Sequence, residues 1–212
     1  MATDTTDTPP EEADDRTDPL KVRPPMDSPA SAYFFEDRDD RTETRTLSVL
    51  VDNEPGVLAR VIGLFSGRGY NIDSLTVSET QHAQHVSRIT IVTTGTPMVL
   101  TQIRHQLQRM VPIHSVTDLS MAGEPLAREL ALVKVRGAGE SRVEALRLAD
   151  AYRATVIDAT VEHFVFEITG RTSKIEQFIS IMEPLGLIEV CRTGVAALAR
   201  GSAAMGEGQV DF

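Results

Sequence analysis

The sequence predicts an α+β protein in which one βαββαβ unit occurs twice. Two observations lead to this prediction. Residues 44–122 contain strand-like segments, in which apolar residues alternate, and helix-like segments, which have an apolar stripe. The order of these segments is β-α-β-β-α-β, and the same order returns within 128–201. Glycine and proline residues lie at many boundaries between these segments, where they favour turns and helix ends. An apolar content of 41% is sufficient for a folded core.

The first unit starts with the mainly apolar run Leu47 to Val51, which predicts a strand over 46–51. A wide apolar stripe then predicts a helix over 55–67; its members are Val57, Leu58, Val61, Ile62, Leu64 and Phe65. Pro55 suits the first turn of this helix and Gly69 suits its end. The elements that follow are strands at 72–77 and 86–94, a helix at 96–111 and a strand at 113–120.

The second unit repeats this order with little sequence identity. Its predicted elements are a strand at 128–137, a helix at 139–153, strands at 154–160 and 162–170, a helix at 172–186 and a strand at 187–194. The segment "PLARE", 125–129, is the predicted joint between the units. Since β-α-β-β-α-β is the order of the ferredoxin-like fold, we predict two ferredoxin-like domains. The glycine-rich segment "RGAGES", 136–141, lacks the spacing of a phosphate-binding fingerprint and predicts a plain turn.

The two ends of the chain differ from these units in composition. Residues 1–43 are rich in Pro, Asp, Glu and Thr, which predicts a disordered acidic tail, and residues 202–212 predict a flexible end. Residues 1–44 contain thirteen Asp or Glu and five Lys or Arg, so they account for −8 of the net charge of −10. The remaining residues carry a net charge near −2. This balance argues against a nucleic-acid surface, which requires a basic stripe.

The composition also bears on location. The single cysteine, Cys191, fits a reducing compartment. No stretch approaches the ~18 uninterrupted apolar residues of a membrane span, so no membrane partner is expected. The N-terminal residues have the features of neither a secretory signal nor an organelle transit peptide. We therefore expect a cytoplasmic protein.

The turn between the first strand and the first helix, "DNEPG", is a candidate ligand site. We expect Glu54 to be the N-cap, Pro55 to start the helix, and Gly56 to leave the first helical amides open to a small anion. Asn53 offers both a donor and an acceptor beside them. The turn has no lysine or arginine to hold a phosphate group and no nucleophile. It therefore predicts a seat for a carboxylate and no catalysis.

Several segments together resemble the small, regulatory subunit of acetolactate (acetohydroxyacid) synthase, whose N-terminal part is an ACT domain. The resemblance is carried by "LSVLVDNEPGVLARVIGLFSGRGYNIDSLTVSET", "SRITIV", "ELALVKV", "ATVIDAT" and "RTGVAALARG", and it spans roughly residues 45–201. It implies an amino-acid-sensing ACT domain at 44–122 and a C-terminal ferredoxin-like regulatory domain at 128–201.

The resemblance also implies a function without catalysis in this chain. The subunit would bind the large, catalytic acetolactate synthase subunit, raise its activity and confer feedback inhibition by valine in branched-chain amino acid biosynthesis. The chain itself would hold no cofactor and no metal. Thiamine diphosphate, Mg²⁺ and FAD would belong to the catalytic partner.

The resemblance implies a valine site that lies between two ACT domains. One protomer would contribute Asn53, Gly56, Val57 and Leu58, and its partner would contribute Asn71 and Ile72. Asp73 has no nearby cation in the sequence, so we expect it to be a solvated charge at a strand end.

Two other classes of function remain open at this point. The first is an ACT-domain sensor that regulates another enzyme or pathway, although no helix-turn-helix segment or basic region indicates a transcription factor. The second is a small hydrolase on the same scaffold, similar to acylphosphatase. That reaction needs an arginine in the first strand–helix turn, where this chain has Asp, Asn, Glu, Pro and Gly.

The predicted architecture leaves one face of each sheet without helices. A unit of this size also buries little apolar surface on its own. We therefore predict that the chain forms a homodimer or a higher oligomer, by extension of a sheet or by face-to-face packing.

Overall fold

The computed structural model describes residues 41–81, 85–121, 123–202 and 205, and these residues form two antiparallel sheets. The predicted acidic tail, 1–43, lies outside the described residues except for its last three. The predicted flexible end, 202–212, lies outside them except for Ser202 and Met205. Within the described residues the βαββαβ order occurs twice, so the predicted fold class is confirmed.

The first sheet has the strand order β2-β3-β1-β4, with every neighbouring pair antiparallel. Its elements are β1 (Glu43–Asp52), α1 (Val57–Arg68), β2 (Ser74–Gln81), β3 (Val86–Gly95), α2 (Pro97–Gln108) and β4 (Ile113–Asp118). The edge strand β2 follows α1 directly in the chain.

The second sheet has the order β6-β7-β5-β8. Its elements are β5 (Leu126–Arg136), α3 (Gly139–Ala151), β6 (Thr155–Ala159), β7 (His163–Gly170), α4 (Thr172–Met182), β8 (Leu187–Arg192) and β9 (Ala196–Leu198). The interpretation of 125–129 as a joint is wrong, because Leu126–Arg128 pair with β9. Strand β9 is not predicted, since three residues are too few to show an alternation.

Each sheet packs its own helices against one face. In the first, the alternating residues Leu47, Val49 and Val51 join Phe65 and Ile91 in a core between the sheet and the helices. The second core is built in the same way; its central residues are Ala131, Val133, Val135, Phe166 and Phe178. The two-residue period of the strands therefore decides which side chains are buried.

Helix α1 starts later than the sequence predicts. Its N-cap is Gly56, with φ 90° and ψ −10°, and its first residue is Val57. The assignments of Glu54 as N-cap and Pro55 as first residue are wrong, because a residue in the left-handed region interrupts a right-handed helix. Gly69, with φ 68°, ends the helix as predicted.

The apolar stripe of α1 is wider than the part that the core covers. Val57, Val61 and Phe65 are buried. Leu58 and Ile62, one helical turn apart, remain 38% and 39% exposed. The sequence shows that α1 has a wide apolar face, and only the packing shows that part of this face is free.

The segment after β8 connects the second sheet to the first. The Val195 amide donates a 2.8 Å hydrogen bond to the Ser74 hydroxyl at the start of β2. A small apolar cluster lies beside this contact; its buried members are Leu119, Val195 and Ala197, and Val92 and Ala127 pack against them. Part of the helix-free face of the first sheet is thus covered by the end of the second unit.

An ion pair with a buried carboxylate fixes the start of this connecting segment. Arg192 Nε and Nη2 donate to the two carboxylate oxygens of Glu129 at 2.7 and 2.8 Å. The Glu129 side chain is only 3% exposed, whereas that of Arg192 is 36% exposed. The bidentate bond to Glu129 raises the pKa of the Arg192 guanidinium, so Arg192 keeps its charge at physiological pH.

We expect Arg192→Met to lower the free energy of unfolding by about 3 kcal/mol, because the substitution leaves the Glu129 carboxylate buried and unpaired. Urea unfolding monitored by circular dichroism measures the effect. Arg147→Met is the matched control: Arg147 pairs with Glu144 at the surface, so its loss should cost less than about 1 kcal/mol. Equal losses of stability in the two variants would contradict the structural role given to the Glu129–Arg192 pair.

Two glycines of the first helix should respond to alanine with opposite signs. Gly56→Ala should destabilise the protein by about 1–2 kcal/mol, since alanine is strained at a positive φ. Gly63 lies within α1, and a Cβ there meets no atom within 4 Å. Gly63→Ala should therefore stabilise the protein by about 0.5–1 kcal/mol. The same unfolding measurement tests both, and a shared sign would disprove the role given to Gly56.

Candidate functional site

The turn between β1 and α1 is held by backbone hydrogen bonds to two neighbouring loops. The Asp52 amide donates to the Pro112 carbonyl at 2.9 Å, and the Asn53 amide donates to the His85 carbonyl at 2.6 Å. The Asn53 side chain is exposed and makes no hydrogen bond to any other described residue. The backbone of Asn53 is therefore held in place, and its side-chain amide group is available to a ligand.

The first amides of α1 are open to a ligand. The Val57 amide makes a long bond, 3.4 Å, to the Glu54 carbonyl, and Gly56 provides no side-chain cap. The described residues provide no backbone acceptor for the amides of Leu58 and Ala59. Such amides, together with the helix dipole, attract a carboxylate. The Val57 side chain lies in the core, so only its backbone can contribute.

Asn71 and Ile72 lie in the loop between α1 and β2. The Asn71 side-chain amide donates to Asp73 at 2.6 Å, and the Asn71 carbonyl accepts a 2.6 Å bond from the Thr93 hydroxyl. Asp73 also accepts from the Thr94 hydroxyl at 2.7 Å. Ile72 is partly buried against the first core. Asn71 therefore keeps its side-chain oxygen as a free acceptor.

Asp73 has a role that the sequence does not predict. As expected, Asp73 is an exposed charge just before β2 and forms no ion pair with a described residue; in addition, its carboxylate accepts hydrogen bonds from Asn71 and Thr94. The sequence feature that could indicate these hydrogen bonds is the pair of hydroxyl residues Thr93 and Thr94 at the end of β3, about twenty residues later in the chain. That pair becomes relevant only when the sheet register is known.

The two groups of predicted site residues lie far apart in a single chain. Asp52, beside Asn53, pairs with Val86 at one end of β3. Ser74, close to Asn71 and Ile72, pairs with Val92 six residues further along β3. Six residues of a strand span about 20 Å. The turn and the loop therefore cannot enclose one small ligand within one protomer.

Three of the exposed apolar residues of this unit, on α1 and on the edge strand β2, form what we call the flank of the first sheet. Leu58 and Ile62 project from α1, and Val77 of the edge strand β2 is 42% exposed on the helix-covered side of the sheet. Single exposed apolar residues are common, whereas a grouped set next to an open strand edge is typical of an interface. The flank offers a surface that a second copy can cover.

The charges at the turn suit a zwitterion better than a phosphate group. Asp52 accepts from His114 Nε2 at 2.7 Å, and Glu54 is exposed beside it.

The described residues contain no group of three or more His, Cys, Asp or Glu side chains suited to a metal ion. In that same part of the chain, no helix is both long enough and apolar enough to cross a membrane.

Family comparisons agree with this geometry. A family model described as "AHAS small subunit-like ACT domain" matches residues 47–115. A second, described as "Small subunit of acetolactate synthase", matches residues 128–201. Each match covers one of the two sheets, and together they cover more than half of the chain.

Individual relatives extend over most of the chain. The acetolactate synthase small subunit of Mycobacterium leprae is 42% identical over 77% of this chain and 95% of its own length. The acetolactate synthase isozyme 3 small subunit of Escherichia coli is 43% identical over 76% of this chain and 98% of its own length. The crystal structure of the Thermotoga maritima small subunit superposes with a TM-score of 0.69 at 35% identity, covering 76% of this chain and 99% of that chain. This chain therefore belongs to the family of acetolactate synthase small subunits.

Proposed function

We propose that the protein is the regulatory subunit of an acetolactate synthase. It binds the catalytic subunit, raises its activity and makes it sensitive to valine, an end product of branched-chain amino acid biosynthesis. Family membership supports the regulatory role, since the relatives are named as small subunits of this enzyme. The thiamine diphosphate, Mg²⁺ and FAD of the reaction belong to the catalytic partner, and this chain contributes no reacting group.

The observation that carries the valine proposal is the separation of the two half-sites. Within one protomer the β1–α1 turn and the α1–β2 loop lie about 20 Å apart along the sheet. Both border the flank formed by Leu58, Ile62 and Val77. A second copy, related by a two-fold axis that crosses this flank perpendicular to the strands, brings the turn of one protomer to the loop of its partner.

Valine matches the groups that such a pairing brings together. The open amides of α1, beside Gly56, take the carboxylate, and the side-chain oxygens of Asn53 and Asn71 take the ammonium group. Leu58 and Ile72 cover the isopropyl group, whose burial contributes roughly 1.5–3 kcal/mol. Isoleucine differs by one methylene group, so we expect discrimination of about 10–200-fold at most.

A contact near the proposed site offers a route from the ligand to the second sheet. Ser74 follows the Asn71–Asp73 loop directly and accepts the hydrogen bond from Val195. A Cβ on Gly194 would lie 2.8 Å from the Ser74 hydroxyl, so the two segments are tightly packed. Valine that orders the loop thereby favours one arrangement of the connecting segment, which shifts a conformational equilibrium of the holoenzyme.

The function is tested by replacing Gly56 with aspartate. Asparagine and aspartate tolerate a positive φ better than other residues and have the same shape, so Gly56→Asn and Gly56→Asp differ mainly in charge. The aspartate sets a carboxylate against that of valine. We expect holoenzyme with Gly56→Asp to lose valine inhibition, so that the inhibitory concentration of valine rises at least tenfold. Gly56→Asn should raise this concentration less.

Activation of the catalytic subunit is the internal control, because it reports folding and subunit binding for both variants. Calorimetric titration of each variant with valine gives the affinity directly. Full valine sensitivity of the Gly56→Asp holoenzyme would rule out the proposed seat. An equal loss in both variants would rule out the charge argument.

The pairing of two protomers is tested on the exposed flank of α1. The double variant Leu58→Lys/Ile62→Lys should shift sedimentation equilibrium toward the monomer and abolish valine binding, because two desolvated cations oppose association. Met98→Lys/Met121→Lys adds the same charge at exposed apolar positions elsewhere in the unit and should change neither the oligomeric state nor valine binding. An unchanged oligomer with normal valine binding in the α1 variant would contradict this interface.

A further inference from the structure

The second unit has a basic cleft at the position that corresponds to the β1–α1 turn of the first. The cleft has a volume of about 650 Å³ and lies where β5 leads into α3. Its lining includes the cations Lys134, Arg136 and Arg142, together with Gly137, Glu162 and His163. Volumes of this size are typical of small-molecule sites. The sequence segment "RGAGES", interpreted as a plain turn, forms part of its wall.

Arg142 is held in a fixed position at the cleft. Its Nη1 donates to the carbonyls of Thr160 at 2.9 Å and Val161 at 3.4 Å, and its Cζ lies 4.0 Å from the centre of the Phe164 ring. Gly137 makes this position accessible, since a Cβ there would lie 2.7 Å from Nη1. The guanidinium is thus oriented before any ligand arrives.

Two cations of the cleft lack carboxylate partners. Neither Arg136 nor Arg142 forms an ion pair with any described residue, whereas Lys134 pairs with the exposed Glu189 at 3.1 Å. Nε and Nη2 of Arg142 still have donors to offer, as its bonds to the two carbonyls use only Nη1. The acidic residues nearby are Glu162 in the lining, Glu140 in the first turn of α3, and Asp158, which pairs with His163. The guanidinium groups of Arg136 and Arg142 are therefore free to pair with an anionic ligand.

The chemistry of the two corresponding turns differs in a way that indicates the ligand. Asp52, Asn53 and Glu54 of the first turn suit an ammonium group next to a carboxylate. The second turn has arginines at Arg136 and Arg142, which suit an anion without an ammonium group. Guanidinium groups bind planar or tetrahedral oxyanions through paired N–H donors.

We propose that this cleft is a second ligand site, which binds a doubly charged oxyanion of the kind carried by phosphate monoesters and dicarboxylates. Arg136 and Arg142 bind the oxygens, and Lys134 adds charge at the rim. The ligand class differs from that proposed for the first sheet, and the site does not depend on valine binding or on a second protomer.

Titration of the full chain with inorganic phosphate, and in parallel with succinate, tests the proposal. Ionic strength is held constant with sodium chloride, so that general screening is the same in each sample. We expect saturable shifts in the backbone amide resonances of Gly137, Gly139 and Arg142 in NMR spectra. The anion that binds more tightly identifies the ligand class, phosphate or dicarboxylate. The absence of saturable shifts at these amides with both anions would overturn the proposal.

Two charge-matched variants make the test specific. Arg136→Gln removes an exposed guanidinium whose side chain has no hydrogen-bond partner among the described residues, so folding should be unaffected. It should weaken anion binding about tenfold or more. Arg147→Gln, on the outer part of α3 and paired with Glu144, removes the same charge away from the cleft and should change affinity less than about twofold. Equal affinities of the two variants would also overturn the proposal, and valine titration should be the same in both.

Discussion

The pairing register of β1, β2 and β3 is the constraint on which the rest of the first unit depends. It places the β1–α1 turn beside Val86 and the α1–β2 loop beside Val92, at separate ends of the same strand. A shift by one residue would turn Val49 and Ile91 out of the core, so packing holds the register firmly. Because the two groups are fixed apart, a small ligand that needs both of them requires two protomers.

The two units share a topology and differ in charge at the turns that lead into their first helices. Both units pack two helices on one face of an antiparallel sheet, and their cores are built from the same alternation. The turns that lead into α1 and α3 keep left-handed glycines, Gly56 and Gly139, but differ in charge. A duplicated scaffold can thus offer two sites of similar shape to ligands of different charge, because the strands set the position and the turn residues set the chemistry.

The connection between the units is narrow and specific. The Glu129–Arg192 pair fixes the end of β8, and Val195 then reaches Ser74 on the first sheet. Because Ser74 follows the α1–β2 loop and accepts the hydrogen bond from Val195, a change in that loop acts directly on this contact. This is the property that a regulatory subunit needs when a ligand at one domain has to affect the position of another.

The sequence by itself determines the order of the elements, the residues that alternate into the two cores, the helix end at Gly69 and the family. These features depend on neighbours within a few positions, or on motifs that survive as contiguous residues. The start of α1 was predicted two residues too early, because proline and glutamate are common at helix starts. Only the positive φ of Gly56 shows that the helix cannot include the residues before Val57. Strand β9 was not predicted because it is only three residues long, and the hydrogen bond of Asp73 to Thr94 was not predicted because Thr94 lies on another strand.

Tertiary structure alone decided which apolar residues stay free and which charges meet. Leu58 and Phe65 belong to one stripe in the sequence, yet only Phe65 faces the core. Arg136 and Arg142 flank a turn that looks ordinary in sequence, and the cleft exists because β7 and its preceding loop lie against that turn. Local preference sets what each segment is, whereas the burial and charge of a side chain depend on contacts between segments distant in the chain, which the sequence does not display.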